Sequence, residues 1–400
     1  MVDSFIPQIR FKMCKNQWEK IKLSKIAKFN PKSTLPEKFK YVDLESVLGT
    51  DLISYREVSR ENAPSRAQRL AQKGDIFYQT VRPYQKNNYL FDSDEKDYVF
   101  STGYAQLRPL IDSAFLLARL QEESFVNKVL ERCTGTSYPA INSKDLSKIS
   151  VTIPQTIEEQ SAIGTLFLTL DDLLSSYKNN LANYQSLKAT MLSKMFPKAG
   201  HTVPEIRLDG FEGDWELLEI NDLADDFQSG GTPKTNVQEY WNGNIPWIQS
   251  SDLETNCLFE TKVQKSISEK GLKNSSAKII PKDSIAVVTR VGVGKLAVMR
   301  HEYATSQDFL SFSNLKSNIE FTAYLLYRLL QKEVTQLQGT SIKGITKVEL
   351  LSKKVLIPSL PEQQAIGAYF SNLDNLINSY QEKISQLETL KKKFLQDMFI

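Results

Sequence analysis

The sequence predicts an α+β protein: two α/β bodies joined by two long helices that pair as an antiparallel coiled coil, a tandem repeat with a pseudo-two-fold axis. Three observations predict it. First, "EQSAIGTLFLTLD" (159–171) returns as "EQQAIGAYFSNLD" (362–374), and at a constant shift of 203 the segments 159–196 and 362–399 agree at roughly sixteen of 38 positions. Second, "GTSYPAINSKDLSKISVTIP" (135–154) is echoed by "GTSIKGITKVELLSKKVLIP" (339–358). Third, "IPQIRF" followed by Trp18-Glu19 answers "VPEIRL" followed by Trp215-Glu216 at a shift of 197. Self-similarity of this kind marks a duplicated unit. The boundaries are a first body at 1–152, a first helix at 153–197, a second body at 198–356 (opening on the 198–206 linker) and a second helix at 357–400.

The helices are justified at their starts and along their length. Thr156 with Glu159 and Ser359 with Glu362 have capping-box spacing, in which hydroxyl and carboxylate satisfy free amides of the first turn. Pro361 suits a first helical position. Apolar residues recur at three- and four-residue steps through Ile163, Leu166, Leu170, Leu173, Tyr177, Leu181, Tyr184, Leu187 and Met191. The second copy gives Ile366, Tyr369, Leu373, Leu376, Tyr380, Ile384, Leu387, Leu390 and Phe394. A stripe this long is a coiled-coil seam, about 57 Å at 1.5 Å per residue. The partner that covers it is the other copy, paired head to tail, with Ile163, Leu170, Leu173, Tyr177, Leu187, Ile366, Leu373, Leu376, Tyr380 and Leu390 as the pairing and docking positions. The competing arrangement has each helix lying on its own body.

Within the bodies, "GDIFYQTVRPY" (74–84) and "KDSIAVVTRVGVGK" (282–295) predict a strand running into a loop that carries Arg82 or Arg290. "AFLLARLQEESFVNKVLERC" (114–133) and "FTAYLLYRLLQKEVTQLQG" (321–339) predict helices ahead of each GTS segment.

Composition narrows the function. Four hundred residues favour at least two domains. No apolar run approaches the ~18 residues of a membrane span, and "MVDSFIPQIRFKMCK" lacks a signal-peptide core. Cys14, Cys133 and Cys257 are odd in number and scattered, which points to a reducing, cytoplasmic setting. With His201 and His301 as the only histidines, no histidine-based metal site is expected. The net charge of +3 is uneven: residues 1–150 carry 24 Lys/Arg against 18 Asp/Glu, whereas residues 201–350 carry 16 against 20. The first body attracts a polyanion as a whole; the second does so only through local patches.

Enzyme signals fail on inspection. "VGVGKLAV" (291–298) has Thr289 and Leu296 where a phosphate loop needs Gly and Ser/Thr, so it predicts a strand-ending turn. No GxSxG, HExxH or NPPY-type segment occurs, and no acidic nuclease cluster or catalytic pair stands out. What remains are loops mixing basic, amide and aromatic residues: "QTVRPYQKNNY" (79–89) and "GGTPKTNVQEYWNGNIPWIQSSD" (230–252). Such side chains neutralise phosphates or read base edges. On composition alone any one such loop fits a solvated turn better than a nucleic-acid contact, and Trp241 and Trp247 suit a core better than base stacking; the argument for a contact is that both halves place such loops ahead of matching helices.

At this point the chain resembles the specificity subunits of type I restriction-modification systems. The likeness is carried by "SGGTPKTNVQEYWNGNIPWIQSSDL" (229–253), "NPKSTLPEKFKYVDLESV" (30–47), "GDIFYQTVRP" (74–83) and the two helix starts at 153–164 and 357–367, and it covers almost the whole chain. The resemblance implies two target-recognition domains, each reading one half of a split double-stranded DNA target, with the helices as spacer and dock for two modification (methyltransferase) subunits. It implies no catalytic residue and no bound cofactor here. S-adenosylmethionine, ATP and Mg belong to those subunits and to the restriction/translocase subunits. By position it implies DNA-facing Thr80, Arg82, Tyr84, Gln85 and Lys86 in the first half, and Lys234, Ser250, Ser251, Arg290 and Lys295 in the second. Arg82 and Arg290 fit salt-bridged loop residues as well, and Ser250 and Ser251 fit helix caps at Asp252. The dissimilar bodies imply different half-sites. The alternatives are a coiled-coil scaffold that binds only protein partners, and a nucleotide hydrolase built on 291–298.

Overall fold

In a computed structural model the chain forms two compact units, Met1–Leu181 with Tyr380–Ile400, and Ala182–Ser379. Residues 6–12, 14, 16–135, 137–337 and 344–399 are described; Thr136 and the 339–343 opening of the second GTS segment lie outside them. Where the repeat divides the sequence near 152, 197 and 356, compactness instead divides the long helices. The first, Ile157–Lys194, gives residues 157–181 to the first unit and 182–194 to the second. The other, Leu360–Asp397, gives 360–379 to the second and 380–397 to the first.

In the first unit an antiparallel sheet runs in the order Ala27–Phe29, Tyr104–Pro109, Ile76–Gln79, Tyr89–Leu90. A second sheet runs Arg56–Ser59, Lys38–Val42, Tyr98–Ser101, Ala67–Leu70, with a parallel pair at its centre. Glu19–Lys22 pairs antiparallel with Ser150–Ile153, which sets the front motif beside the helix start. The second unit repeats the plan: Ala224–Ser229, Phe309–Leu315, Ser284–Val288, Leu296–Met299 in one sheet, and Lys265–Ile267, Trp241–Ile248, Ala304–Thr305 in the other. Trp241–Ile248, the central strand, is again parallel to one neighbour, Ala304–Thr305, and Glu216–Glu219 again pairs with Lys354–Ile357.

The helices, in chain order, are α1 (Ser113–Gln121), α2 (Glu123–Leu130), α3 (Ile157–Lys194), α4 (Ile319–Leu337) and α5 (Leu360–Asp397), with shorter turns between. The single helix expected over 114–133 is two. Glu122 is extended (ψ 141°) and its carboxylate accepts the amides of Ser124 and Phe125, so it caps a new helix instead of continuing the old one. Over 321–337 the expected helix is unbroken.

The expected capping box is half realised in the first copy, and in the second no bond to the Ser359 hydroxyl is found among the described residues. The Glu159 amide donates to Thr156 Oγ1 (3.4 Å), but the Glu159 carboxylate does not turn back. It is buried, takes both prongs of Arg10 (Nε–Oε1 2.7 Å, Nη2–Oε2 2.8 Å) and accepts from Trp18 Nε1 (3.1 Å). Glu362 likewise takes Arg207 (Nε–Oε1 2.8 Å, Nη2–Oε2 2.7 Å). A bidentate guanidinium outcompetes a single backbone amide for a buried carboxylate. One residue earlier in each front motif, the Ile9 amide donates to the Asp397 carbonyl (3.0 Å) and the Ile206 amide to the Lys194 carbonyl (3.0 Å). Each motif thereby joins the start of one long helix to the end of the other.

Around these locks sits an aromatic box. In the first unit Phe399 lies 5.7 Å from Phe167, 5.8 Å from Phe115 and 6.1 Å from Trp18. In the second, Phe196 lies 6.2 Å from Phe370, 5.5 Å from Phe321 and 6.0 Å from Trp215. The Met-Phe pair that ends each helix therefore fills the core of the other repeat's unit. Gly164 and Gly367 let each helix start press on α1 or α4: an added Cβ would lie 2.6 Å from the Phe115 amide nitrogen, or 3.0 Å from that of Phe321.

Both units hold an antiparallel α3–α5 pair, and its seam follows a strict alternation of three and four. On α3 it runs Ile163, Phe167, Leu170, Leu174, Tyr177, Leu181, Tyr184, Lys188, Met191 and, just past the helix end, Met195; on α5 it runs Ile366, Phe370, Leu373, Ile377, Tyr380, Ile384, Leu387, Lys391, Phe394 and, just past the helix end, Met398. Six residues of the expected stripe sit one place off it: Leu166 and Tyr369 give way to the buried Phe167 and Phe370, and four of the expected pairing positions are also displaced. Leu173 (40% exposed), Leu187 (36%) and Leu390 (40%) face outward and Leu376 is half-buried, while Leu174, Lys188, Lys391 and Ile377 take the inward places. The sequence offered leucines at these points; the heptad chose a leucine, an isoleucine and two lysines. Lys188 pairs with Asp374, which also accepts from Tyr324 Oη (2.7 Å), and Lys391 pairs with Asp171. Tyr177 and Tyr380 meet edge to face at 5.6 Å.

Two outcomes test these contacts. Removing one member of a buried ion pair leaves an uncompensated charge, at a cost of roughly 3–5 kcal/mol. Glu362→Gln is expected near the low end, about 3 kcal/mol by urea unfolding, because Arg207 keeps its bonds to the Gly213 and Glu212 carbonyls. At the seam, Asp171→Leu alone should destabilise, whereas adding Lys391→Leu should return most of the loss, since an apolar pair of similar size fills such a site without desolvating charge.

Candidate nucleic-acid interface

The candidate loop of the first unit spans residues 80–88, between strands Ile76–Gln79 and Tyr89–Leu90. Thr80 belongs to the framework beneath it. It is buried, its amide and hydroxyl both donate to the Gly103 carbonyl (2.9 and 2.7 Å), and its own carbonyl accepts the Ile141 amide (3.0 Å). The expectation that Thr80 faces DNA is corrected on that ground. Two asparagines pin the loop from below: Asn88 Oδ1 accepts the Gln79 amide (2.8 Å) and Asn87 Oδ1 accepts the Gly49 amide (2.9 Å).

What this frame presents is Arg82, Tyr84 and Gln85. Arg82 is left-handed (φ 53°), a conformation that costs a non-glycine residue about 1–2 kcal/mol. Its amide donates to the Pro139 carbonyl (2.7 Å), which holds it there. The guanidinium lies 4.3 Å from the centroid of the exposed Tyr138 ring and has no carboxylate partner among the described residues. A cation over a ring keeps all five of its N–H donors while losing rotamer freedom. The 3-10 turn Pro83–Gln85 exposes Tyr84 and Gln85, and Gln79 Nε2 donates to Gln85 Oε1 (2.8 Å). Lys86, also left-handed (φ 57°), pairs with Glu123 at the start of α2. Tyr138 was missed by the sequence reading; its signal is the contrast between "GTSYPAI" and "GTSIKGI".

In the second unit the framework threonine recurs as Thr289, whose amide and hydroxyl donate to the Asp308 carbonyl (2.8 and 3.1 Å) and whose carbonyl accepts the Ile345 amide (2.7 Å). Matching Thr289 to Thr80 makes Arg290 the counterpart of Val81, and the counterpart of Arg82 is the exposed Val291. The "VGVGK" stretch is a hairpin turn between Ser284–Val288 and Leu296–Met299, with Gly292 at φ 91° and Gly294 at φ 105°. Lys295 points inward, donating to the Ser250 (3.2 Å) and Leu253 (2.8 Å) carbonyls, so its ammonium stitches two loops together and is not offered to a ligand.

Ser250–Asp252 is a 3-10 turn capped by Gln249, whose amide donates to Asp252 Oδ2 (3.1 Å), so the serines lie within the turn and do not cap a helix. Ser251 is exposed and Ser250 half-buried. Lys234 is exposed, and its carbonyl accepts from Trp241 Nε1 (3.1 Å). Trp247 is buried, donates to the Gly231 carbonyl (3.0 Å) and meets Trp241 edge to face at 5.1 Å, so both rings serve packing. Arg290 is exposed at the rim of a cleft of about 890 Å³, with Ser229, Gly230, Gly292 and Gln307 among its lining. Among the described residues no cluster of three or more His, Cys, Asp or Glu could hold a metal ion, and no helix is long and apolar enough to cross a membrane.

The family described as the type I restriction modification DNA specificity domain matches this chain twice, at residues 15–184 and 212–389. The type I restriction enzyme MjaIX specificity subunit of Methanocaldococcus jannaschii is 28% identical over 194 residues, which are 47% of this chain and 44% of that protein. The chain thus spans less than half the length of that relative. The HindI specificity subunit of Haemophilus influenzae is 22% identical over 416 residues, covering 85% of this chain and 90% of the relative. Among solved structures, the type I restriction-modification S subunit from M. genitalium shares the fold, with TM-score 0.66 and 15% identity over 99% of both chains.

Proposed function

We infer that this chain, which belongs to the type I restriction modification DNA specificity family, is the DNA-reading, non-catalytic component of a restriction-modification assembly. Each unit reads one half of a split duplex target. The chemistry belongs to partners: modification subunits that carry S-adenosylmethionine, and restriction subunits that use ATP and Mg. The observation that carries this reading is the recurrence of one framework with different loops. Thr80 and Thr289 make the same three bonds, yet the segments that follow are the nine residues 80–88 on one side and the seven residues 289–295 on the other. A duplicated frame with divergent tips is what two unlike half-sites require, since base edges in the major groove differ in donor and acceptor pattern.

The protein-only scaffold makes no use of an arginine held over a tyrosine ring without a carboxylate. The hydrolase reading has no support in a hairpin whose lysine is bonded to backbone carbonyls. Mapping of methylated sites in cells that express the chain with modification subunits should give one bipartite motif. A motif that is continuous, or none above background, would count against the reading. In the same assay and in duplex-binding titrations, Arg82→Ala should cost about 1–3 kcal/mol at one half-site and leave preference at the other unchanged.

A further inference from the structure

The two bodies differ in sequence, but one segment keeps its place and its charge in both. In the first unit, residues 60–75 connect edge strand Arg56–Ser59 to Ile76–Gln79; in the second, residues 268–283 connect edge strand Lys265–Ile267 to Ser284–Val288. Each segment is sixteen residues long and carries four basic residues against two acidic ones: Arg60, Arg66, Arg69 and Lys73 with Glu61 and Asp75, and Lys270, Lys273, Lys278 and Lys282 with Glu269 and Asp283. In each, one base is neutralised, Lys73 by Asp92 and Asp94 and Lys270 by Glu239. In each, one acid is also engaged, Asp75 by Arg108 and Asp283 by Arg300.

Three bases per unit remain without an ion pair among the described residues. Arg60, Arg66, Lys273, Lys278 and Lys282 are exposed, and Arg69 is half-buried with its Nε unbonded. In the second unit this segment also touches a loop of the resemblance motif. Gly231 packs so closely on Ser276 and Ala277 that an added Cβ would fall 2.4 Å from the Ser276 carbonyl carbon. That contact sets the lysine-bearing loop against the "GGTPK" turn (230–234), whose Gly230 lines the cleft beside Arg290 together with the preceding Ser229.

We propose that residues 60–75 and 268–283 are matching phosphate-binding arms, one per unit, which grip the duplex backbone through Arg60, Arg66 and Arg69 and through Lys273, Lys278 and Lys282. The proposal rests on the DNA reading above and adds which surface meets the backbone. Phosphates are the same at every sequence, so contacts to them can be kept while the loops that meet bases diverge. The arms show that pattern in length, charge and the two strands they connect, although the first folds as a 3-10 turn (Arg60–Asn62) and the edge strand Ala67–Leu70 and the second as the short helix Glu269–Lys273. They also answer how a body of net charge −4 over residues 201–350 can hold a polyanion. Nine of its twenty acids fall in 205–226, whereas nine of its sixteen bases fall in 262–300.

The test is the salt dependence of duplex binding by the full-length chain, with the variant Lys273→Ser/Lys278→Ser/Lys282→Ser and, separately, Arg60→Ser/Arg66→Ser. Each lost phosphate contact lowers the slope of log K against log salt by about 0.9, so the expected decreases are about 2.7 and about 1.8. Preference among half-site sequences should stay as in the wild type, and Lys273→Arg/Lys278→Arg/Lys282→Arg should keep the full slope. Because these exposed side chains hold no partner, the melting temperature should not move. A wild type that binds with a steep slope, with variants matching it, overturns the arms and leaves the DNA reading standing; so does a variant whose loss is confined to one base pair. A wild type that ignores duplex at every salt concentration overturns both.

Discussion

Everything in this fold hangs on a buried carboxylate at the start of each long helix. Glu159 and Glu362 sit where the helix N-terminus already favours negative charge, and each is met by both prongs of an arginine from the front motif. The arginine's neighbour in sequence bonds the end of the opposite helix through its amide. Three chain segments are thereby fixed at one point: a helix beginning, a helix end, and the strand that enters the sheet. The aromatic box fills the space around that point, so the charged pair is kept dry and a shifted helix would lose ring packing and ion pair together. That is why a sequence motif of six residues, with a tryptophan eight places on, is the part repeated most faithfully at the front of each half.

From that fixed point the architecture separates what must be shared from what must differ. The inner sheets, the framework threonines, the short helices capped by Asn142 and Thr346, and the glutamines that clamp the Pro154 and Pro358 carbonyls (2.9 Å each) recur in both units. Side chains here act on their own backbone and need no knowledge of a ligand. The tips do not recur. The first presents an arginine stacked on a tyrosine in a wide loop stiffened by asparagines; the second presents a tight glycine hairpin with a valine at the matching place. Loops carried on a rigid, duplicated scaffold can change what they touch without changing how the scaffold folds.

The duplication, the helix pair and the order of elements were legible because they rest on periodicity and self-similarity, which need one sequence only. Phe399 and Phe196 show where legibility stopped. Their Met-Phe signature was visible, but that each pair enters the core of the other repeat depends on the head-to-tail pairing. Leu173, Leu187 and Leu390 looked like seam residues because leucine is the commonest seam residue; the true positions are fixed by an unbroken 3-4 count that admits Lys188 and Lys391. Glu159 and Glu362 read as caps because capping spacing is local, whereas their arginines lie about 150 residues away. Thr80 and Lys295 were assigned to the surface by motif, and only three dimensions reveal that one supports a strand end and the other ties loops through carbonyls.

Charge gives the clearest case of an average that conceals its parts. A body with four more acids than bases looks ill suited to a polyanion, and a sum over 150 residues supports that view. A duplex, however, meets only one surface, and within a screening length of about 8–10 Å it senses only the charges there. Ion pairing reduces the field further where both partners are on the surface, as for Lys262 with Glu254 and Lys316 with Asp225, so the count that matters is of bases left unpaired. By that count the two units are equals along one connecting segment, despite opposite totals. An acidic remainder on the other elements then has a use of its own. On the proposed DNA reading, it would keep the chain from clinging to nucleic acid over its whole surface and leave a defined face as the place of contact.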